Sequence, residues 1–527
     1  MARQTFTINS ILGGISPAQY FRSEGQYSAS IGVDPDLPLV STDKRTSGVL
    51  VPTVYEEFSG AEVNSHPIAI IRTPKTTLVY AVLGNGKLIS YTSSFGSETL
   101  IGTVTGGVAN GAFYYNNYIY ITTTTDVSRY GPLDGAAALT NTVWTGATLG
   151  SLTALTNTTY PNINPTLSIA IPNHWGCIHS DGAAYFLDFK NGQGLVHKIR
   201  TSKTTSEGDT NNASAYNVLD LPFGFYPVNI CSYSTDLAIL TIQTTDSTIN
   251  QGRAALFLWD TTNTDTFYRG PVYLPDPIAT AMLYLNGTLA IWSGNSQNGF
   301  RVSEYIGGDT VKDIAFFEEG QPPLQGAVDA LGNRLVWGGS VTYPETAATV
   351  FALGSKNARL GGGIHNIVRA SSAGTTPSIT ALSFVQQDSN ITPKVIVGWR
   401  DGSGNGIDKS STTATFASVW RSEVFNLNRK FKVTKIIVPL GATTATNMTL
   451  TAKVFFDDAS SSTTLPTINS TNYPSKRSVT FKSTGTGLKS QGGENNFFLE
   501  LKWTGTVALP VLFPIEIEVE SYADESA

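Results

Sequence analysis

Hydrophobic positions in this chain fall in short runs, not in long stripes. In "NGTLAIWSG" (Asn286 to Gly294) a turn dipeptide leads into Leu289-Ala290-Ile291-Trp292, and Gly294 closes the run. The same shape returns in "GNRLVWGGS" (Gly332 to Ser340) and "PKVIVGWRDG" (Pro393 to Gly402). Patterns with the helical period of 3.6 are hard to find. Aligned on their apolar hairpins, the repeats begin near Leu78, Tyr118, Ala184, Leu237, Leu289, Leu335 and Val395, spaced 40, 66, 53, 52, 46 and 60 residues apart. In each, a Gly, Asn or Asp turn precedes an apolar strand, and a second turn precedes an amphipathic strand. A unit of about 50 residues and about four strands is the size of a propeller blade. The apolar strands suit inner positions covered on both faces, and the alternating ones suit outer positions with one wet face.

The pattern therefore predicts an all-β chain with a seven-bladed β-propeller over residues 47–424. Trp292, Trp337 and Trp399 are expected to pack between blades. The strand in "SGVLVPTVYEEF" (Ser47 to Phe58) is expected to complete the last blade and hide its open edge. No repeated Trp-Asp ending, kelch-type double glycine or sialidase Asp-box accompanies the repeat; Trp259-Asp260 stands alone. A stack of two β-sandwiches would write similar strands.

After about Glu423 the pattern changes to plain alternation. In "PIEIEVES", Ile515, Ile517 and Val519 share one face and Glu516, Glu518 and Glu520 the other. Residues 425–527 are read as one β-sandwich of jelly-roll or Ig-like kind, with an eighth, extended blade as the alternative. Residues 1–46 carry no repeat. They mix Tyr20, Phe21 and Tyr27 with Gly, Ser and Pro, too apolar for a free linker. An extended N-terminal arm is expected, lying on its own propeller or on a neighbouring subunit.

Composition agrees with this layout. The chain of 527 residues exceeds one core, with 41% hydrophobic and only 14% charged residues and 50 glycines. A net charge of −6 with scattered Lys and Arg shows no basic patch for nucleic acid. It suits a surface that DNA passes without sticking. Cys177 and Cys231 are expected to be buried thiols and not a bridge. The N-terminus "MARQTFTINSILGG" lacks the apolar core of a signal peptide. No run of about 18 apolar residues predicts a membrane span.

Candidate chemistry is sparse. In "DGSGNGID", Asp401, Ser403, Asn405 and Asp408 offer oxygens around Gly406, like a degenerate calcium loop. Ser403 and the missing final Glu depart from that pattern, and a hairpin turn uses the same residue types. Calcium is the one cofactor this points to. His174 and His179 flank Cys177 in "NHWGCIHS", but strand alternation puts the histidines on opposite faces and leaves two ligands without a third. "LGNGKLIS" lacks P-loop spacing, and "GGG" at 361–363 is no dinucleotide fingerprint. The adjacent pairs Asp457-Asp458 and Glu318-Glu319 point to opposite faces of a strand. No catalytic residue is assigned. Separated carboxylates meeting at a propeller axis would instead make a glycan hydrolase.

The layout resembles structural proteins of tailed bacteriophages. The residues that carry the likeness are Gly13-Gly14, Tyr20-Phe21, Gly25-Gln26-Tyr27 and Gly32 to Asp36 in the arm, with "NNFFLELKWTGTVALPVLFPIEIEVES" at the end. The resemblance implies a virion tail component of nozzle or hub type, assembled in the host cytoplasm and present in several copies around the tail axis. Its partners would be other copies of itself, neighbouring tail proteins and genomic DNA passing during ejection. Podoviral nozzle proteins are often longer, with inserted domains, a departure that bears on the exact position in the tail. A receptor- or carbohydrate-binding tail protein, meeting a host-surface glycan through the sandwich, is the alternative reading.

Overall fold

The turn chemistry folds into hairpins. Asn286 and Gly287 have φ of 51° and 90°, the left-handed pair of a two-residue type I′ turn. They join Ile278–Leu285 to Thr288–Asn295. The computed structural model describes residues 3–9, 13–16, 26–34, 49–53, 55–92, 96–123, 125–141, 143, 174–190, 193–200, 215–243, 253–262, 269–295, 299–318, 320–354, 363–372, 374–385, 394–402, 404–411, 416–427, 431–441, 444, 446–456, 461–474, 476, 478–482, 496–506 and 510–521. Among these the fold is all-β, and the only helical piece is a 3-10 turn at Gln325–Ala327. No helix among them is long and apolar enough to cross a membrane.

Successive strands form four-stranded antiparallel meanders. The first sheet runs from Pro67–Arg72 to Glu98–Thr103, the second from Ala109–Tyr115 to Ala138–Thr140, and the third from Gly176–Ile178 to Ala215–Asp220. The fourth runs from Phe225–Tyr233 to Arg269–Tyr273, and the fifth from Ile278–Leu285 to Thr310–Phe317. The sixth, Val328–Leu331 to Ile364–Arg369, gains Gly14–Ile15 and Gln26–Tyr27 at its edge. The seventh comprises Pro377–Val385, Lys394–Asp401 and Gly404–Ser410, and its fourth strand is Tyr55–Glu57. Closure by an upstream strand is as expected, but Tyr55–Glu57 alone performs it. Val49–Pro52 turns away to pair with Val33–Asp34 and Val511–Leu512.

The first strand of each sheet packs against the first strand of the next, and the series returns from Pro377–Val385 to Pro67–Arg72. Inner strands such as Tyr118–Thr123 are buried throughout, whereas the outer strand Thr310–Phe317 is largely wet. Apolar side chains fill each seam. Trp292 and Trp337, both fully buried, lie 5.9 Å apart between the fifth and sixth sheets. Trp399 joins the core between the sixth and seventh.

The C-terminal residues build two further sheets around one core. In one, Phe431–Pro439 lies between Ser478–Lys482 and Ile515–Ser521, and the N-terminal strand Arg3–Ile8 pairs with the last of these. In the other, Asn496–Gly505 pairs with Met448–Phe456 and Phe416–Arg421, and Ala29–Ile31 adds to Phe416–Arg421. The alternation of the last strand is as read: Ile515, Ile517 and Val519 are buried. On the other face Glu518 and Glu520 meet Lys435 and Lys432. Phe416–Arg421 pairs with this unit, so the boundary expected at 424 falls before residue 416. The described strands of the arm lie along the sixth sheet of this same chain and also add to the C-terminal sheets.

Replacing Trp292 with Ala leaves a large cavity in a close-packed seam, so it should destabilise the chain by about 3–5 kcal/mol. A fall in the thermal midpoint, with secondary structure retained below it, is the expected observation.

Candidate functional site

The calcium-loop candidates do not converge. Asp401 pairs with Gly404 across the hairpin turn, whereas Asp408 pairs with Val397. The two carboxylates are thus four rungs apart, about 13 Å along the sheet at 3.3 Å per residue. Asp401 Oδ2 accepts the Gly374 N–H at 2.6 Å. Asp408 Oδ1 accepts from Trp399 Nε1 and Ser371 Oγ, each at 2.7 Å, and Oδ2 accepts the Ser371 N–H at 2.5 Å. Burial pushes the Asp408 carboxyl up to about 6, against the pull of those three donors. Asn405 sits on the strand opposite Arg400, and Ser403 lies outside the described residues. Among the described residues no group of three or more His, Cys, Asp or Glu side chains is placed to hold a metal ion.

The "NHWGCIHS" residues also part company. His179 Nδ1 meets Ser232 Oγ at 3.2 Å. Cys177 and Cys231 are free, and burial pushes both thiols up, Cys231 to about 12. His174 instead turns inward to a carboxylate that the sequence reading did not single out. Its Nδ1–H donates to the Thr123 carbonyl at 3.1 Å, which leaves Nε2 facing Asp188 Oδ1 at 3.6 Å. His197 Nε2 donates to Asp188 Oδ2 at 3.0 Å, and Oδ1 accepts the Phe189 N–H at 2.7 Å. Burial holds the His174 imidazole below its ordinary range, with Asp188 pulling the other way. The side chains of all three are at most 2% exposed, so no substrate reaches them.

This cluster has counterparts. His174 precedes the first strand of the third sheet, Asp188 is on its second strand and His197 on its third. In the fifth sheet Asp276 precedes the first strand and accepts from Ser293 on the second at 2.7 Å and Arg301 on the third at 2.6 Å. In the seventh, Ser371 precedes the first strand, Trp399 is on the second and Asp408 on the third. In the fifth and seventh sheets these hydrogen bonds latch the incoming chain to the strands behind it. In the third, the incoming chain is held by the His174 bond to the Thr123 carbonyl, and His174 Nε2 faces Asp188 without a hydrogen bond. The calcium-like Asp408 is one of these latches. A sequence signal existed: Asp188 is a lone carboxylate in the apolar run "AYFLDF", and His197 recurs nine residues later.

The arm makes further buried polar contacts. A Cβ on Gly14 would stand 2.3 Å from the Ile364 nitrogen, so only glycine lets the arm lie against the sixth sheet. The buried Tyr27 hydroxyl hydrogen-bonds His365 Nδ1 at 2.9 Å. Burial, helped by Arg334, lowers His365 to about 3, so the ring stays neutral. Arg334 is itself fully buried and pairs with Asp34 of the arm at 3.3 Å. Next to this seat, Glu345 of the sixth sheet's hairpin bonds Arg369 at 2.9 Å and also Lys502 of the C-terminal unit. The carboxylates Asp457-Asp458 and Glu319 lie outside the described residues.

No protein-family model matches the sequence, and no curated protein aligns with it significantly. Solved structures of similar outline include the WD40 β-propeller domain of Doa1, at 12% identity and TM-score 0.39 over 68% of this chain and 97% of that one. Virginiamycin B lyase from Staphylococcus aureus aligns at 11% identity and TM-score 0.40, over 68% and 99%. Oligogalacturonate lyase from Vibrio parahaemolyticus aligns at 11% and 0.41, over 73% and 98%. Likeness at this level bears on no activity.

Two outcomes follow from the geometry. Millimolar calcium or its chelation should leave the thermal midpoint unchanged, because Asp401 and Asp408 are spent on separate protein donors; a rise with calcium would contradict the latch assignment. Asp34→Ala removes the carboxylate that faces the buried Arg334 guanidinium and should cost about 3–5 kcal/mol, measured as a drop in chemical or thermal midpoint.

Proposed function

We propose that this chain is a structural component of a tailed-phage virion, a nozzle- or hub-type assembly protein set in several copies around the tail axis. In this reading the cycle of four-stranded sheets is a seven-bladed β-propeller, and the C-terminal sheets form a β-sandwich carried beside it. The observation that carries the reading is the seating of the arm. The residues behind the phage resemblance include Gly14, Tyr27 and Asp34, and these are the ones that lock the arm against His365, Ile364 and Arg334. The shared residues therefore have an architectural reason: they clasp a propeller to a terminal sandwich.

The mechanism is assembly. Closely packed β-sheets deform little, so each copy presents fixed faces to its neighbours. The Glu345–Arg369–Lys502 network and the arm hold the two units together while load passes between them. The net charge of −6 gives a passing duplex little overall electrostatic attraction.

Portal and terminase genes are expected beside the gene for this chain, and mass spectrometry of purified particles should find the protein in stoichiometric amounts. Absence from particles would sink the reading. Glycan-array binding or release of reducing sugar by the full chain would then favour the receptor-binding or hydrolase alternative. The full chain is needed because strands from residues 3–8 and 29–31 complete the C-terminal sheets.

A further inference from the structure

The segment Pro323–Ala327 connects the fifth sheet to the sixth, yet its contacts reach much farther round the cycle. Gln325 Oε1 accepts the Met282 N–H of the fifth sheet at 2.9 Å, and it also accepts from the Asn229 side-chain amide of the fourth. Thr280 Oγ1 of the fifth sheet donates to the Pro323 carbonyl at 2.6 Å. On the opposite side, a Cβ on Gly326 would stand 1.8 Å from the Ile68 carbonyl oxygen of the first sheet and 3.3 Å from that of Thr380 in the seventh. Ala327 is buried in the core that holds Ile379. One short segment thus touches the first strands of the fourth, fifth, seventh and first sheets. In a closed cycle, only a group on the axis reaches two sheets away in both directions.

The strands are shaped for this contact. Their registers shift between Pro67 and Ala69, Ala279 and Ala281, and Ile379 and Ala381. The residues set out of register are Ile68, Thr280 and Thr380, the three whose oxygens meet the segment. A bulge re-aims backbone and side-chain groups out of the ladder, and here it aims them at the axis. Gln325 then satisfies an inner-edge N–H that has no next strand to pair with.

We infer that Gln325–Ala327 seals the axis of the cycle, so that nothing threads a single copy, and that any duplex the assembly conducts runs in a passage bounded by several copies. The second part rests on the virion reading above; the seal does not. A fixed seal differs from a mobile lid in one measurable way: the amides it covers exchange as slowly as the sheets around them.

Residue-resolved hydrogen–deuterium exchange on the full chain tests the seal. The Met282 and Ala327 amides should exchange as slowly as the mid-strand amides of Tyr118–Thr123. Gln325→Ala should speed Met282 at least tenfold and leave Tyr118–Thr123 unchanged. Exchange of Met282 and Ala327 in the unmodified chain at the rate of exposed loops would overturn the seal, whether or not the variant folds. Cryo-electron microscopy of DNA-filled particles tests the path, with duplex expected between copies. DNA density crossing one cycle along its own axis would overturn it. Slow exchange in a protein absent from the particles would uphold the seal and refute only the conducted duplex.

Discussion

Closure is the constraint on which the rest of this structure depends. A row of sheets packed through their inner strands leaves two unsatisfied ends unless the last meets the first, and each exposed edge invites wrong pairing. The chain meets the requirement with residues from its own beginning. Tyr55–Glu57 pairs with Gly404–Ser410, across more than three hundred residues of sequence. The segment that follows is then fixed to the first sheet: Glu98 accepts the N–H groups of Gly60 and Glu62, and Lys87 pairs with Glu62. Beginning and end are thereby held in one seam.

The same logic extends to the C-terminal unit. Its sheets take Arg3–Ile8 and Ala29–Ile31 from the arm, while Gly14–Ile15 and Gln26–Tyr27 cover the outer edge of the sixth sheet. Tyr27 contributes to the C-terminal core and hydrogen-bonds His365 of the sixth sheet. The arm behaves as a seam between two bodies and not as a tether. Its buried charge pair, Asp34 with Arg334, makes detachment costly because the guanidinium would lose its carboxylate in the interior. The rigidity that the proposed assembly role needs follows from this stitching.

Much of this was legible in the sequence where the determinants are local. Turn dipeptides and apolar runs marked the hairpins, and strict alternation marked Ile515–Ser521. The position of "SGVLVPTVYEEF" pointed to the closing strand. The rest depended on contacts that local pattern does not encode. The arm's strands are two or three residues long in several places, too short for any periodicity, and their partners lie hundreds of residues away. The Asp401–Asp408 stretch looked like a calcium loop because hairpin turns and calcium loops draw on the same residues; only the pairing register separates its two carboxylates. His174, Asp188 and His197 sit on three consecutive pieces of chain; the lone Asp188 in an apolar run marks a buried carboxylate, but only the fold names its neighbours. "PPLQGAVD" carries no motif, and its partners Ile68, Asn229, Met282 and Thr380 come from four other sheets.

The central claim is that the arm welds the cycle of sheets and the C-terminal unit into one body. Scanning calorimetry of the full chain beside a chain lacking residues 1–34 tests it most directly. The account predicts a single coupled transition for the full chain, and for the truncated chain a large fall in midpoint with separation into two transitions. Two independent transitions in the full chain, at temperatures that the truncation leaves unmoved, would contradict it.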